Sequence, residues 1–98
     1  MKQPWTAQIH LLTPPTDFGD TRCCTNVVAW AEDEEDFVAS ITSILARRHW
    51  TILSVLHAMP ATALKKMIAE LEDQVEEARL KPGSCIFGTL HYYPSKPA

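Results

Sequence analysis

The sequence predicts an α+β fold, a two-layer sandwich in which a four-stranded, mainly antiparallel sheet carries two helices on one face. Three observations lead there. Residues 5–12 alternate between apolar and polar with a period of two, as a half-buried strand does. Residues 37–45 and 64–78 repeat their apolar side chains every three or four positions, as helices facing a core do. These patterns follow one another in the order β-β-α-β-α-β, and 98 residues suit a single domain, 1–98, built round one core.

The first strand places Trp5, Ala7, Ile9 and Leu11 on one face and Thr6, Gln8, His10 and Leu12 on the other. Two prolines and a glycine among Thr and Asp then mark residues 13–20 as a loop. Cys24 to Trp30, β-branched and aromatic, forms the second strand and closes a hairpin. In the first helix, Asp33 is placed to cap the N-terminus, and Glu34, Glu35 and Asp36 meet the positive end of the dipole. Phe37, Ile41, Ile44 and Leu45 share one side of it, and Arg47, Arg48 and His49 close it.

Residues 51–57 read as a third strand that ends at Met59-Pro60. From Ala61 a second helix is expected, with a stripe of Leu64, Met67, Ile68, Leu71, Val75 and Ala78 facing the sheet until Pro82-Gly83 stops it. Residues 84–93 supply the last strand, and 94–98 form a short tail. Right-handed crossovers place both helices on the same side of the sheet. The arrangement resembles the ferredoxin-like group in general shape, with two strands rather than one before the first helix; a likeness of architecture implies no activity.

Composition narrows the function. A net charge of −3 speaks against a partner made of nucleic acid, which requires a basic face. No stretch approaches the ~18 apolar residues of a membrane span, and the first residues lack the apolar run of a secretory signal, so a cytoplasmic protein without membrane contact is expected. Three cysteines, two of them adjacent, fit a reducing compartment better than a disulfide framework. Extended backbone sends Cys23 and Cys24 to opposite faces, so the two cannot share a metal ion. With Cys85 they read as small apolar fillers, and no metal or cofactor is expected.

Two features point outward. All the acids other than Asp17 and Asp20 fall in two runs, represented by Glu32, Glu34, Glu35 and Asp36 at the first helix and by Glu72, Asp73 and Glu76 on the second. Such a surface would steer a basic partner. The strands also carry apolar residues on both faces, with Phe87, His91 and Tyr93 alternating against Ile86, Leu90 and Tyr92, so a sheet face left bare by the helices becomes a candidate interface. The expected function is therefore a small, acidic, non-enzymatic protein-interaction module, a homodimer or an immunity-type inhibitor or adaptor of a basic protein. The alternative is a small enzyme or ligand-binding domain whose pocket is lined by Trp5, Trp30, His10, His57, His91 and Tyr92.

Overall fold

The computed structural model describes residues 1–16 and 19–92. Its elements are β1 (Gln3–Thr16), β2 (Gly19–Ala31), α1 (Glu34–Arg47), β3 (Thr51–Pro60), a 3-10 turn (Ala61–Ala63), α2 (Ala69–Leu80), β4 (Cys85–Phe87) and β5 (His91–Tyr92). The fold is α+β in the expected order, with the final strand split in two. All pairings are antiparallel and the sheet order is β3-β1-β2-β4, with β5 also on the outer edge of β2.

The central hairpin is longer than its sequence suggests. β1 and β2 stay in continuous register from Gln3↔Ala31 to Thr13↔Thr21, so most of the segment expected to be a loop is strand. Pro14 and Pro15 have no N–H to donate, and the register shifts across them, between Thr13 and Thr16.

That register sorts the side chains into two faces. Ala7, Ile9, Leu11, Cys23, Val27, Ala29 and Ala31 point one way and pack with Phe37, Ile41 and Leu45 of α1. Val28 points the other way and packs with Ala61 of the 3-10 turn and with Val75 and Ala78 of α2, supported by Met67, Leu71 and Ile86. The helices therefore flank the sheet on opposite faces rather than sharing one. The reason is strand direction. β2 and β3 are parallel to each other, so α1 is a true crossover subject to the handedness rule; β3 and β4 are antiparallel, and the rule does not constrain α2.

α1 matches its sequence signals. Asp33 Oδ1 accepts from the Asp36 N–H at 2.8 Å, and Asp36 Oδ2 accepts from the Glu32 N–H at 3.0 Å. Phe37, Ile41 and Leu45 are completely buried, and Ile44 is half-buried. α2 departs from expectation, because it begins at Ala69 and residues 64–68 are not helical. The chain leaves β3 at one edge of the sheet, whereas α2 packs chiefly on β2 and β4. Two or three inter-strand steps amount to about 10–15 Å, which five extended residues span (~16 Å) and five helical ones (~7.5 Å) do not. Leu64 and Ile68 consequently drop out of the buried stripe, and Ile68 is 62% exposed.

The apolar pattern of β3 is explained by two bulges. Between Thr6↔Met59 and Gln8↔Leu56, and again between His10↔Ser54 and Leu11↔Ile52, β3 carries one residue more than β1. Ile52, Val55 and Ala58, spaced by three, thus all reach the α1 core. His57 adopts the left-handed region at φ 57° beside one bulge.

Truncating Phe37 to alanine should cost about 3–5 kcal/mol as a core cavity, whereas Ile68→Ala should change stability by no more than about 0.5 kcal/mol, as surface substitutions do. Urea denaturation of the two variants checks this. Comparable losses would mean that the α2 stripe does begin before Ala69.

Candidate functional site

On the α2 side the sheet is a ladder of cross-strand rows. The first runs Met59, Thr6, Val28, Ile86; the second contains Leu56, Gln8 and Asn26; the third runs Ser54, His10, Cys24, His91; the fourth contains Thr51, Leu12 and Arg22. α2 covers the first row and reaches the second. Trp30 Nε1 donates to the Ala78 carbonyl at 2.9 Å, and Gln74 Nε2 donates to the carbonyls of Asn26 (3.1 Å) and Ile86 (3.3 Å). Rows three and four extend past the helix toward the hairpin tip. Here His10, Leu12 and Cys24 are half-buried and Arg22, Ser54 and His91 are exposed.

α2 also fixes the break between β4 and β5. Gly88 N–H donates to the Asn26 carbonyl at 2.8 Å. Glu70 takes the next two donors, accepting from the Thr89 N–H at 2.6 Å and from its hydroxyl at 3.2 Å. A Cβ at residue 88 would fall on Glu70 Oε1 and on the Gln74 carboxamide, so a larger residue there would have to push these two side-chain ends aside.

Beside the covered rows lies an open groove. Gln8 and Asn26 form its floor, and Met59, Leu64, Met67 and Ile68 form its walls. Leu56, 39% exposed, stands beside Gln8 on the same face. Sequence reasoning missed this groove because it assigned Leu64 and Ile68 to a buried helical stripe.

The residues singled out from the sequence are dispersed. Phe87 pairs with Val27 on the α1 side, where the Arg48 guanidinium lies 5.1 Å from its ring, while His91 pairs with Cys24 on the α2 side. The irregular stretch 88–90 changes the parity between them, so the expected single face of Phe87 and His91 is not formed; Tyr93 lies outside the described residues. Glu32, Glu34, Glu35 and Asp36 cluster at the start of α1, with Asp36 also 3.9 Å from Lys2 Nζ. Glu72, Asp73 and Glu76 are exposed on α2, on the other side of the sheet. The acids thus form two patches and not one.

The six residues of the alternative pocket do not converge either. Trp5 stacks on Phe37 at 6.2 Å on the α1 side, and Tyr92 shares the parity of Cys23 there. Trp30 is on the α2 side, near neither. His57 sits at its bulge on the groove rim. Among the described residues, His10 and His91 share the third row but on either side of Cys24, each paired with it and not with the other. Among the described residues, no three His, Cys, Asp or Glu side chains are gathered as a metal-binding cluster, and no helix is long and apolar enough to cross a membrane.

Cys23 and Cys24 point to opposite faces, as expected, and all three cysteines are free thiols. Burial raises the Cys85 thiol to about 11, partly opposed by the Arg48 charge. Burial, with the neighbouring Cys24, raises Cys23 as well. A thiol reacts as its thiolate, so iodoacetamide at pH 8 should modify half-exposed Cys24 first and leave Cys23 and Cys85 protected until the protein unfolds. Peptide mass spectrometry over a time course reads this directly, and equal rates at all three positions would contradict the burial pattern. Gly88→Ala should displace the Glu70 and Gln74 contacts and cost about 1–3 kcal/mol, measurable by thermal melting.

No protein-family model matches the chain, and neither a curated protein nor a solved structure shows significant similarity to it. The geometry of the α2-side face therefore carries the functional reading.

Proposed function

We propose that the protein is a non-enzymatic interaction module that forms a homodimer through the groove on the α2 side of its sheet. The observation that carries this reading is the apolar lining left in the open: Leu56 and Ile68 are 39% and 62% exposed, and half-buried Met59, Leu64 and Met67 continue the surface between them. Methionine adapts its shape to a partner at little cost, and contiguous exposed apolar surface beside a folded core marks an association site.

A second copy is favoured over an unrelated partner by the rim. Lys65 and Lys66 lie beside Glu72, Glu76 and Arg79 around a neighbouring depression that shares Leu64 and Met67 with the groove. A rim carrying both signs side by side is self-complementary across a two-fold axis, where the lysines of one copy meet the glutamates of the other. The acidic start of α1 lies on the opposite side and stays in solvent, where it supports solubility and would steer a basic third component. A cytoplasmic setting accords with this reading, since three free cysteines persist in a reducing compartment.

Sedimentation equilibrium tests the proposal. The wild type should be dimeric at tens of micromolar, and the double variant Leu56→Asp, Ile68→Asp should be monomeric with an unchanged far-ultraviolet circular dichroism spectrum, because neither side chain belongs to the core; its melting temperature should lose the concentration dependence that a dimer shows. Lys65→Glu with Lys66→Glu should weaken the dimer, and adding Glu72→Lys and Glu76→Lys should restore it. A wild type that remains monomeric at several hundred micromolar would overturn the proposal.

A further inference from the structure

The chain has three methionines, and the two internal ones share the groove: Met59 on β3 and Met67 in the non-helical stretch before α2 both line it. Each is half-buried. Met1, by contrast, is fully exposed and is not part of the groove. We propose that Met59 and Met67 are a paired oxidation site, at which a peroxide-class oxidant converts both thioethers to sulfoxides and so separates the dimer. The inference rests on the dimer reading and adds to it the chemistry that regulates the interface.

The step is a two-electron oxygen transfer. A lone pair of the thioether sulfur forms the S–O bond, the peroxide O–O bond breaks, and the second peroxide oxygen leaves as water with both protons. Sulfur is oxidised and peroxide reduced. The product replaces a flexible apolar side chain with a polar, chiral one. An S=O group in an open groove is hydrated. In a closed interface walled by Leu56, Leu64 and Ile68 it meets apolar surface and forfeits that hydration. A thiol-dependent sulfoxide reductase reverses the change, the oxygen leaving as water while two thiols join in a disulfide.

The position of the pair couples oxidation to assembly. Closing the groove shields both sulfurs, so the oxidant reaches them in the monomer, and each sulfoxide then opposes reassociation. The dimer protects its own methionines, and their oxidation holds the chain as a monomer, because a modification confined to one state draws the equilibrium toward it. Apolarity alone does not require methionine here. Leucine and isoleucine supply the other apolar walls, and a leucine of similar volume would pack as well.

The methionines supply the test on a single chain, with Met1 as internal reference. Hydrogen peroxide is added to the full chain at concentrations below and well above its dimer dissociation constant. Dithiothreitol then restores oxidised thiols without reducing sulfoxides, and peptide mass spectrometry reads each methionine. Relative to Met1, Met59 and Met67 should oxidise several-fold more slowly in the concentrated sample. The doubly oxidised chain should keep its far-ultraviolet circular dichroism spectrum, and sedimentation equilibrium should show association weakened at least about a hundredfold. Met59→Leu with Met67→Leu should dimerise as the wild type does and remain dimeric after peroxide. With an untreated wild type that is dimeric, four results would each refute the oxidation site and leave the dimer standing: an oxidised wild type that stays dimeric, protection independent of concentration, unfolding on oxidation, or separation of the double leucine variant by peroxide. An untreated wild type that is monomeric throughout would refute both.

Discussion

Everything in this molecule follows from the pairing of β1 with β2. Their antiparallel register is unbroken over eleven residue pairs, from Gln3↔Ala31 to Thr13↔Thr21, and among the described residues these two strands are the interior ones of the sheet. A slip of β1 by a single residue would carry Ile9 and Leu11 out of the α1 core and put His10 and Leu12 in their place. Burying an imidazole there without a partner would cost several kcal/mol, a large part of the whole stability of a domain of this size. The register is thus fixed by the hydrophobic asymmetry of the two faces, and every other element takes its place from it.

The two faces are used differently. The α1 side is mainly apolar and large, with Phe37, Ile9, Leu11, Ile41 and Leu45 at its centre. The α2 side is small and partly polar, and there α2 is held as much by hydrogen bonds from Trp30 and Gln74 and by the Glu70 grip on Thr89 as by Val28, Val75 and Ala78. A helix that covers only half of its face leaves a groove and a polar row beside it. The groove beside it is the surface on which the dimer proposal rests, and the α1 side is the larger of the two cores.

Much of this was legible in the sequence. The alternation of residues 5–12, the capped and charged start of α1 with its buried Phe37, Ile41 and Leu45, and the opposite orientations of Cys23 and Cys24 are local properties that period and capping chemistry encode. What escaped was non-local. The start of α2 at Ala69 depends on how far the chain must travel across the sheet, which no helical stripe records. The bulges that bring Ile52, Val55 and Ala58 onto one face depend on the curvature of β3 against β1. The parity change between Phe87 and His91 depends on the irregular stretch 88–90, where the Gly88 N–H donates to the Asn26 carbonyl and Glu70 holds Thr89.

The central claim is that α1 and α2 lie on opposite faces of the sheet, leaving the third row of the α2 side open. A methyl-resolved NOESY spectrum tests it most directly. Cross-peaks from Val75 and Ala78 should connect to Val28 and Ile86, the Trp30 indole N–H should lie close to Ala78, and the Phe37 ring should connect to the α1-side residues Trp5 and Ile9. Cross-peaks from Val75 or Ala78 to Ile9 or Val27 would put both helices on one face and contradict the architecture and the groove together.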